Sequence, residues 1–244
     1  MITINEPKTW QELQSKTSEI LLECGMDVEI EKKTSSVRGN IVIDVYAKES
    51  IQSRQNLILI ECKYWNTPIP QTIIHAFRTV VADIGGNTGY IISKKGFQSG
   101  SYSAIEYSNI KLLTWHEFLL LFEEQWYKNY FCEYIENKFD SLISYSEPLV
   151  PNWALKLEGN DVEKMKQLRF KYEGLGWLLL SMERYHRMLG DEERVKLPLI
   201  QNRNIRNIPD EILEIQGYKE LIPILHKYCD PAIQEFRELK KKTL

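Results

Sequence analysis

Apolar side chains recur at two distinct periods along the chain, and the change of period divides it into elements. Around residues 41 to 46 the period is two: Ile41, Ile43 and Val45 share one face, and Val42, Asp44 and Tyr46 the other. The same alternation puts Leu57, Leu59, Glu61 and Lys63 on one face of a second run. If Asp44 pairs near Glu61, the pairing midpoint falls between Gln52 and Ser53, inside the polar stretch 49 to 56, so the two runs are predicted to form a β-hairpin. Helical spacing takes over elsewhere. Thr9 and Glu12 have the spacing of a capping box and open a helix whose apolar face is Trp10, Leu13, Thr17, Ile20, Leu21 and Cys24, stopped by Gly25. Residues 27 to 31 alternate as a short strand. Gln71 to Asp83 reads as a helix ended by Gly85 and Gly86, and Gly89 to Ser93 as a buried strand. This strand–helix–strand passage predicts a right-handed crossover between parallel strands.

A helix from about Ser101 and a strand over residues 110 to 114 complete a mixed sheet of about five strands flanked by helices, an α/β arrangement. Thr114 and Glu117 repeat the capping box and begin a long aromatic-rich helical region reaching Tyr145. The stretch 146 to 152, with two prolines, is the clearest break. The expected domains are therefore 1–145 and a helical 146–244. In the second part, residues 160 to 189 read as helix, with Gly174 and Gly176 as places where it kinks or divides. Residues 195 to 208 read as loop, and Pro209 and Pro231 as starts of short helices.

Composition narrows the class only slightly. The 244 residues are 43% hydrophobic and 27% charged, as in ordinary globular proteins. No apolar run is long enough to span a membrane, and no signal-peptide pattern opens the chain, so a cytoplasmic location is expected. Cys24, Cys62, Cys132 and Cys229 lack zinc spacing and read as reduced thiols. The net charge is −3, with 14 Lys and Arg against 19 Asp and Glu in residues 1–150, so any DNA affinity must come from a local patch.

Chemistry concentrates in the hairpin. Two carboxylates, Asp44 and Glu61, with the carbonyl of Cys62, provide the hard oxygen ligands that Mg²⁺ or Mn²⁺ takes. Lys63 would hold an attacking water or charge developing on a phosphate. Glu-x-Lys alone carries little information, since it begins at Glu6, Glu31, Glu61, Glu136 and Glu238; only the one at Glu61 ends an apolar strand preceded by a strand carrying an acid. The competing reading is a salt-bridged polar cluster on an exposed hairpin face. Ser93, Lys94 and Lys95 lie at a strand end, where α/β sheets present ligand sites, and are candidates for DNA phosphate contact against the plainer reading of a solvated surface. Tyr64 and Trp65 are candidates for stacking on bases, or for packing the rim of the core.

These segments resemble the PD-(D/E)xK nuclease superfamily, and within it the Mrr-like restriction endonucleases. The resemblance runs from about Trp10 to Phe118 and includes Ser18 to Gly25, Ile43-Asp44-Val45, Ile60-Glu61-Cys62-Lys63 and Ile91 to Phe97. It implies a restriction-endonuclease-like fold, Asp44, Glu61 and Lys63 as the catalytic centre, and Mg²⁺-dependent hydrolysis of DNA in restriction or phage defence. Two features depart from the pattern. The Gly-Gly that often precedes the aspartate is represented by Gly39 alone, and the first-helix position where many relatives carry an acid is Gln14, with Glu19 as an alternative. Cutting both strands needs two active sites, so a homodimer is expected, and the helical part could recognise DNA, dimerise or sense a partner protein. Two other classes fit the same residues: a junction-resolvase-like enzyme, and a module that only binds DNA or protein.

Overall fold

The computed structural model describes residues 1–147, 149–184, 194–202 and 206–243. They form two compact units: Asn5–Asn129, and Met1–Ile4 together with Tyr130–Leu244. The division falls between Asn129 and Tyr130, earlier in the chain than the 145/146 boundary expected from the proline-rich break.

The unit Asn5–Asn129 is built on a five-stranded sheet in the order β1-β2-β3-β4-β5, with β1 Asp27–Ser36, β2 Gly39–Ile51, β3 Arg54–Lys63, β4 Thr88–Ser93 and β5 Ile110–Thr114. The first three strands run antiparallel, while β3–β4 and β4–β5 are parallel. The predicted mixed sheet is therefore present. The hairpin turn is tighter than the polar stretch 49–56 implied: both strands continue until only Gln52 and Ser53 remain, and Gln52 takes a φ of 54°, as a two-residue hairpin turn requires. The midpoint is the one that an Asp44–Glu61 pairing sets. β1 is also longer than its alternating segment, because β2 offers it partners as far as Gly39.

Four helices flank this sheet: α1 Trp10–Glu23, α2 Gln71–Ile84, the short α3 Ser99–Ser103, and α4 Trp115–Trp126. Thr9 caps α1 by accepting the Glu12 N–H, and Thr114 with Glu117 forms a complete capping box on α4. Gly85 ends α2 in the left-handed conformation, at a φ of 77°. Between sheet and α2 lies a core of Ile43, Leu59, Ile69, Ile74, Phe77, Val81 and Ile91.

The second unit is helical. After a π-helical turn, Tyr127–Phe131, come α5 Cys132–Ser146 and α6 Asn160–Met182, and a long helix spans Tyr218–Lys241. α6 runs unbroken through Gly174 and Gly176. Gly176 is required by close approach: a Cβ there would lie 1.8 Å from Ser146 Oγ. Residues 185–189 of the expected 160–189 helix lie outside the described residues, as do 203–205 of the expected loop, which contains a 3₁₀ turn at Leu199–Asn202. The short helices expected around Pro231 are instead one helix, Tyr218–Lys241, that contains both Pro223 and Pro231. An interior proline costs about 3 kcal/mol in a helix. The buried stripe Leu221, Leu225, Cys229, Ile233, Phe236 and Leu239 runs along its whole length and outweighs that local penalty. Its first turn is completed by the chain's first residues, with Tyr218 N–H donating to Met1 O at 3.2 Å and Lys219 N–H to Ile2 O at 2.9 Å.

Candidate active site

The β2–β3 ladder pairs Tyr46 with Leu59 and Val45 with Ile60, a register whose next step sets Asp44 opposite Glu61. The backbone pairing ends just short of that step. The Cys62 N–H, which would extend the edge of the ladder, donates instead to Asp44 Oδ2 at 2.7 Å. Two residues along, Lys63 Nζ donates to Glu61 Oε1 in an ion pair whose side chains are 19% and 22% exposed. Asp44, Glu61 and Lys63 thus meet at the mouth of the hairpin.

Helix α1 reaches the same place from the other side. Trp10 Nε1–H donates to the Cys62 carbonyl at 3.0 Å, fixing its direction and leaving the second lone pair of that oxygen for another partner. Gln14, on the buried face of α1, is 3% exposed and its Nε2 has no hydrogen-bond partner. Its amide still lies close enough to Asp44 to favour the charged carboxylate. Glu19 stands on the exposed face of α1. Of the two helix candidates, the fold brings Gln14 to the acids.

Both acids are held above the ordinary carboxylate range. Burial pushes Asp44 up, against the lowering effects of the Cys62 N–H, Lys63, Gln14 and Trp10. Burial also raises Glu61, and the charge of Asp44 adds to it, with Lys63 opposing. One ammonium therefore does not compensate two partly desolvated carboxylates. Among the described residues no group of three or more His, Cys, Asp or Glu side chains gathers at one place. What the hairpin offers a cation is two carboxylates and one oriented carbonyl; the unpartnered Gln14 Nε2 on α1 is a donor. The oxygen set suits Mg²⁺, which binds through one or two carboxylates and keeps several waters.

The remaining candidates differ in how free they are. Ser93 is 1% exposed, and its hydroxyl closes a local turn, donating to Gly96 O at 2.9 Å and accepting the Lys95 N–H at 3.3 Å. It is buried and shapes the loop after β4. Lys94 and Lys95 are exposed. Lys94 Nζ donates to Asn66 Oδ1 at 2.9 Å and stands 4.2 Å from the centre of the Tyr64 ring, while its backbone N–H reaches Lys63 O at 3.1 Å. Trp65 is 42% exposed, 5.8 Å from Lys63 Nζ. The two aromatics thus flank the cations of the site. Sequence reasoning assigned Trp10 only to the apolar face of α1. Its polar partner is 52 residues away, and no local pattern signals that bond.

No curated protein matches this chain. Among solved structures it is similar to the crystal structure of a protein of unknown function, AF1548, at 13% identity and a TM-score of 0.39, over 75% of this chain and 100% of that one. It is similar also to the DNA modification-dependent restriction endonuclease AspBHI, at 12% identity and a TM-score of 0.31, over 51% of this chain and 39% of that one. Residues 7–122 match the family model Mrr_cat, described as restriction endonuclease, and the matched span contains the sheet, α1 to α3 and the hairpin acids. Residues 7–122 are a restriction endonuclease domain of the Mrr_cat family.

Proposed function

We propose that this chain is a metal-dependent endonuclease that hydrolyses phosphodiester bonds of DNA, and that it acts in restriction of invading DNA. The observation that carries the reading is the register that sets Asp44 opposite Glu61 with Lys63 beside them, inside a restriction endonuclease domain. Asp44, Glu61 and the Cys62 carbonyl are the residues that would hold the cation, with Gln14 closing the site from α1. A bound Mg²⁺, or Mn²⁺ in its place, would supply positive charge for the phosphoryl oxygens and lower the pKa of a water.

The protein's own residues set the geometry. The Cys62 N–H fixes one Asp44 oxygen, and Trp10 aims the Cys62 carbonyl. Lys63, paired with Glu61 in the resting site, carries donors that can hold the attacking water or the charge developing on the phosphate. Tyr64, Trp65, Lys94 and Lys95 line the approach for the DNA strand. Because each centre cuts one strand, a homodimer is part of this proposal, and the helical unit is assigned to dimerisation or to a partner protein.

The test is cleavage of linear, supercoiled and branched DNA with Mg²⁺ or Mn²⁺ by the wild type, Asp44→Ala and Lys63→Ala. Loss of one preorganised transition-state donor typically costs about 100-fold or more, so both variants should fall at least that far while remaining folded. Equal cutting by wild type and variants refutes the assignment. Preference for branched substrates would move the enzyme from restriction to junction processing.

A further inference from the structure

Helix α1, which brings Trp10 and Gln14 to the hairpin acids, is pinned along the segment that leads into it. Lys16 Nζ donates to the Asn5 and Glu6 carbonyls at 3.4 and 3.3 Å. Pro7 is buried, the Lys8 N–H donates to Glu12 Oε2 at 2.7 Å, and Thr9 caps the helix. Residues 5–9 are therefore held to α1 itself, with little slack before Trp10. The four residues that precede them belong to the helical unit. There Ile2 is fully buried, and the Met1 and Ile2 carbonyls accept the Tyr218 and Lys219 N–H groups. Thr3 donates its hydroxyl to Glu220 Oε1, and the Ile4 N–H donates to Glu220 Oε2 at 3.3 Å. The division between the units falls between Ile4 and Asn5, so a chain held on both sides crosses it.

The other end of α1 is held by a second segment. The carbonyl of Cys24, its C-terminal cap, accepts Asn129 Nδ2 at 2.7 Å and Gln125 Nε2 at 3.3 Å. Trp126 Nε1–H donates to Glu23 Oε2 at 2.5 Å. Asn129 lies in the π-helical turn Tyr127–Phe131, and the second crossing between the units, Asn129 to Tyr130, falls inside that turn. Single π-helical turns within helices occur frequently at functional sites. Both chain crossings thus lead to α1, one at each end, and α1 is the element whose Trp10 aims the Cys62 carbonyl.

We propose that α1 is the link through which the helical unit governs the hairpin centre, with Met1–Ile4 as its tether. Drawing the tether off the helix Tyr218–Lys241 releases the first turn of α1, loosens the Trp10 bond and lets the Cys62 carbonyl turn away. Trp10 is a positioning residue in this scheme, because it acts through that carbonyl. Coupling between sites is carried by contiguous contacts, and here they run from Glu220 through Thr3 and Ile4, residues 5–9 and Trp10 to Cys62. Regulation of cutting by this route rests on the nuclease reading; the link itself does not.

The test is hydrogen exchange of the full chain in EDTA. Thr3→Val keeps the shape of the side chain and removes the hydroxyl, while Glu220→Ala removes both acceptors at once. In either variant the Tyr218 and Lys219 amides, whose acceptors lie on the tether, should exchange faster. The Trp10 indole N–H, read by NMR and assigned by its loss in Trp10→Phe, should exchange about tenfold faster, the factor for one lost hydrogen bond to a charged group. The Trp126 indole, bonded to Glu23 at the far end of α1, should keep its wild-type rate. The link is overturned if the tether loosens and Trp10 keeps its protection, or if Glu220→Ala leaves the tether itself protected. It is overturned also if Trp10 and Trp126 quicken together, since that is general destabilisation. Duplex cleavage in Mg²⁺ is read in parallel. Thr3→Val and Trp10→Phe should each slow cutting, and the double variant should be no slower than Trp10→Phe; a further loss takes Trp10 off the route. A wild type that cuts no DNA removes the nuclease reading, and the exchange rates then decide the link on their own.

Discussion

Gln14 is a residue at which this chain departs from the pattern it resembles, because a neutral amide stands at the first-helix position where many proteins of that pattern carry an acid. The two acids it faces are already raised by burial, and Glu61 also by its neighbour's charge. A third carboxylate would add repulsion that only a cation could relieve. Gln14→Glu should therefore lower the melting temperature in EDTA, and Mg²⁺ should raise the variant's melting temperature by more than the wild type's. Thermal melts of both proteins with and without Mg²⁺ decide it; an equal Mg²⁺ response would remove Gln14 from the site. Residue chemistry was partly legible before the fold was. Counting alternate positions placed Asp44, Glu61 and Lys63 together because a strand's period is fixed. Nothing comparable marked Trp10, whose function depends on a carbonyl brought to it by tertiary packing.

At the scale of elements, one helix contact is close enough that a single methyl group would break it. Gly176 of α6 meets Ser146 of α5, whose hydroxyl already bonds back to the Leu142 carbonyl and so cannot turn away without losing that bond. Gly176→Ala gains helix propensity but forces the helices apart, and overpacking of this kind costs about 1–3 kcal/mol. The net expectation is a lower denaturation midpoint in urea with an unchanged slope; a stabilised variant would show that the helices separate freely. The same contact explains why glycine was misleading in the sequence. Gly174 and Gly176 read as places where a helix kinks or divides, and Pro231 as a start, because local rules treat these residues as punctuation. In the folded chain α6 and the helix Tyr218–Lys241 continue through them, since burying a long apolar stripe outweighs a local penalty. The sheet was more legible. Its strands carry their own alternation, and the register follows from where the acids must meet. Even there the length of β1 escaped, because its outer half is held by partners in β2 and not by its own pattern.

For the molecule as a whole, Asp44 and Glu61 contribute to how stability varies with pH. A carboxylate whose folded pKa lies above its unfolded value stabilises the fold when protonated; that contribution is lost as pH rises through the folded value. Asp44 and Glu61 are both of this kind in the protein without a cation, so the site is a liability at neutral pH. Asp44→Asn removes the charge and keeps an oxygen to accept the Cys62 N–H. In EDTA the variant should melt above the wild type at pH 7 to 8, by about 2–4 °C for each kcal/mol recovered in a chain of this size. The gap should shrink toward pH 4, near the ordinary carboxylate range, as the wild-type acid protonates. Comparing the two proteins at each pH cancels the titration of the other surface acids, such as Glu117, which its capping interactions hold below the usual range. Mg²⁺ should then close the gap at neutral pH by stabilising the wild type far more than the variant, since ligand binding to the folded state raises its stability by mass action. A wild type that is no less stable than Asp44→Asn in EDTA at pH 8 would mean that Lys63 and the Cys62 N–H already compensate the acids, and the electrostatic argument for a cation at this hairpin would fail.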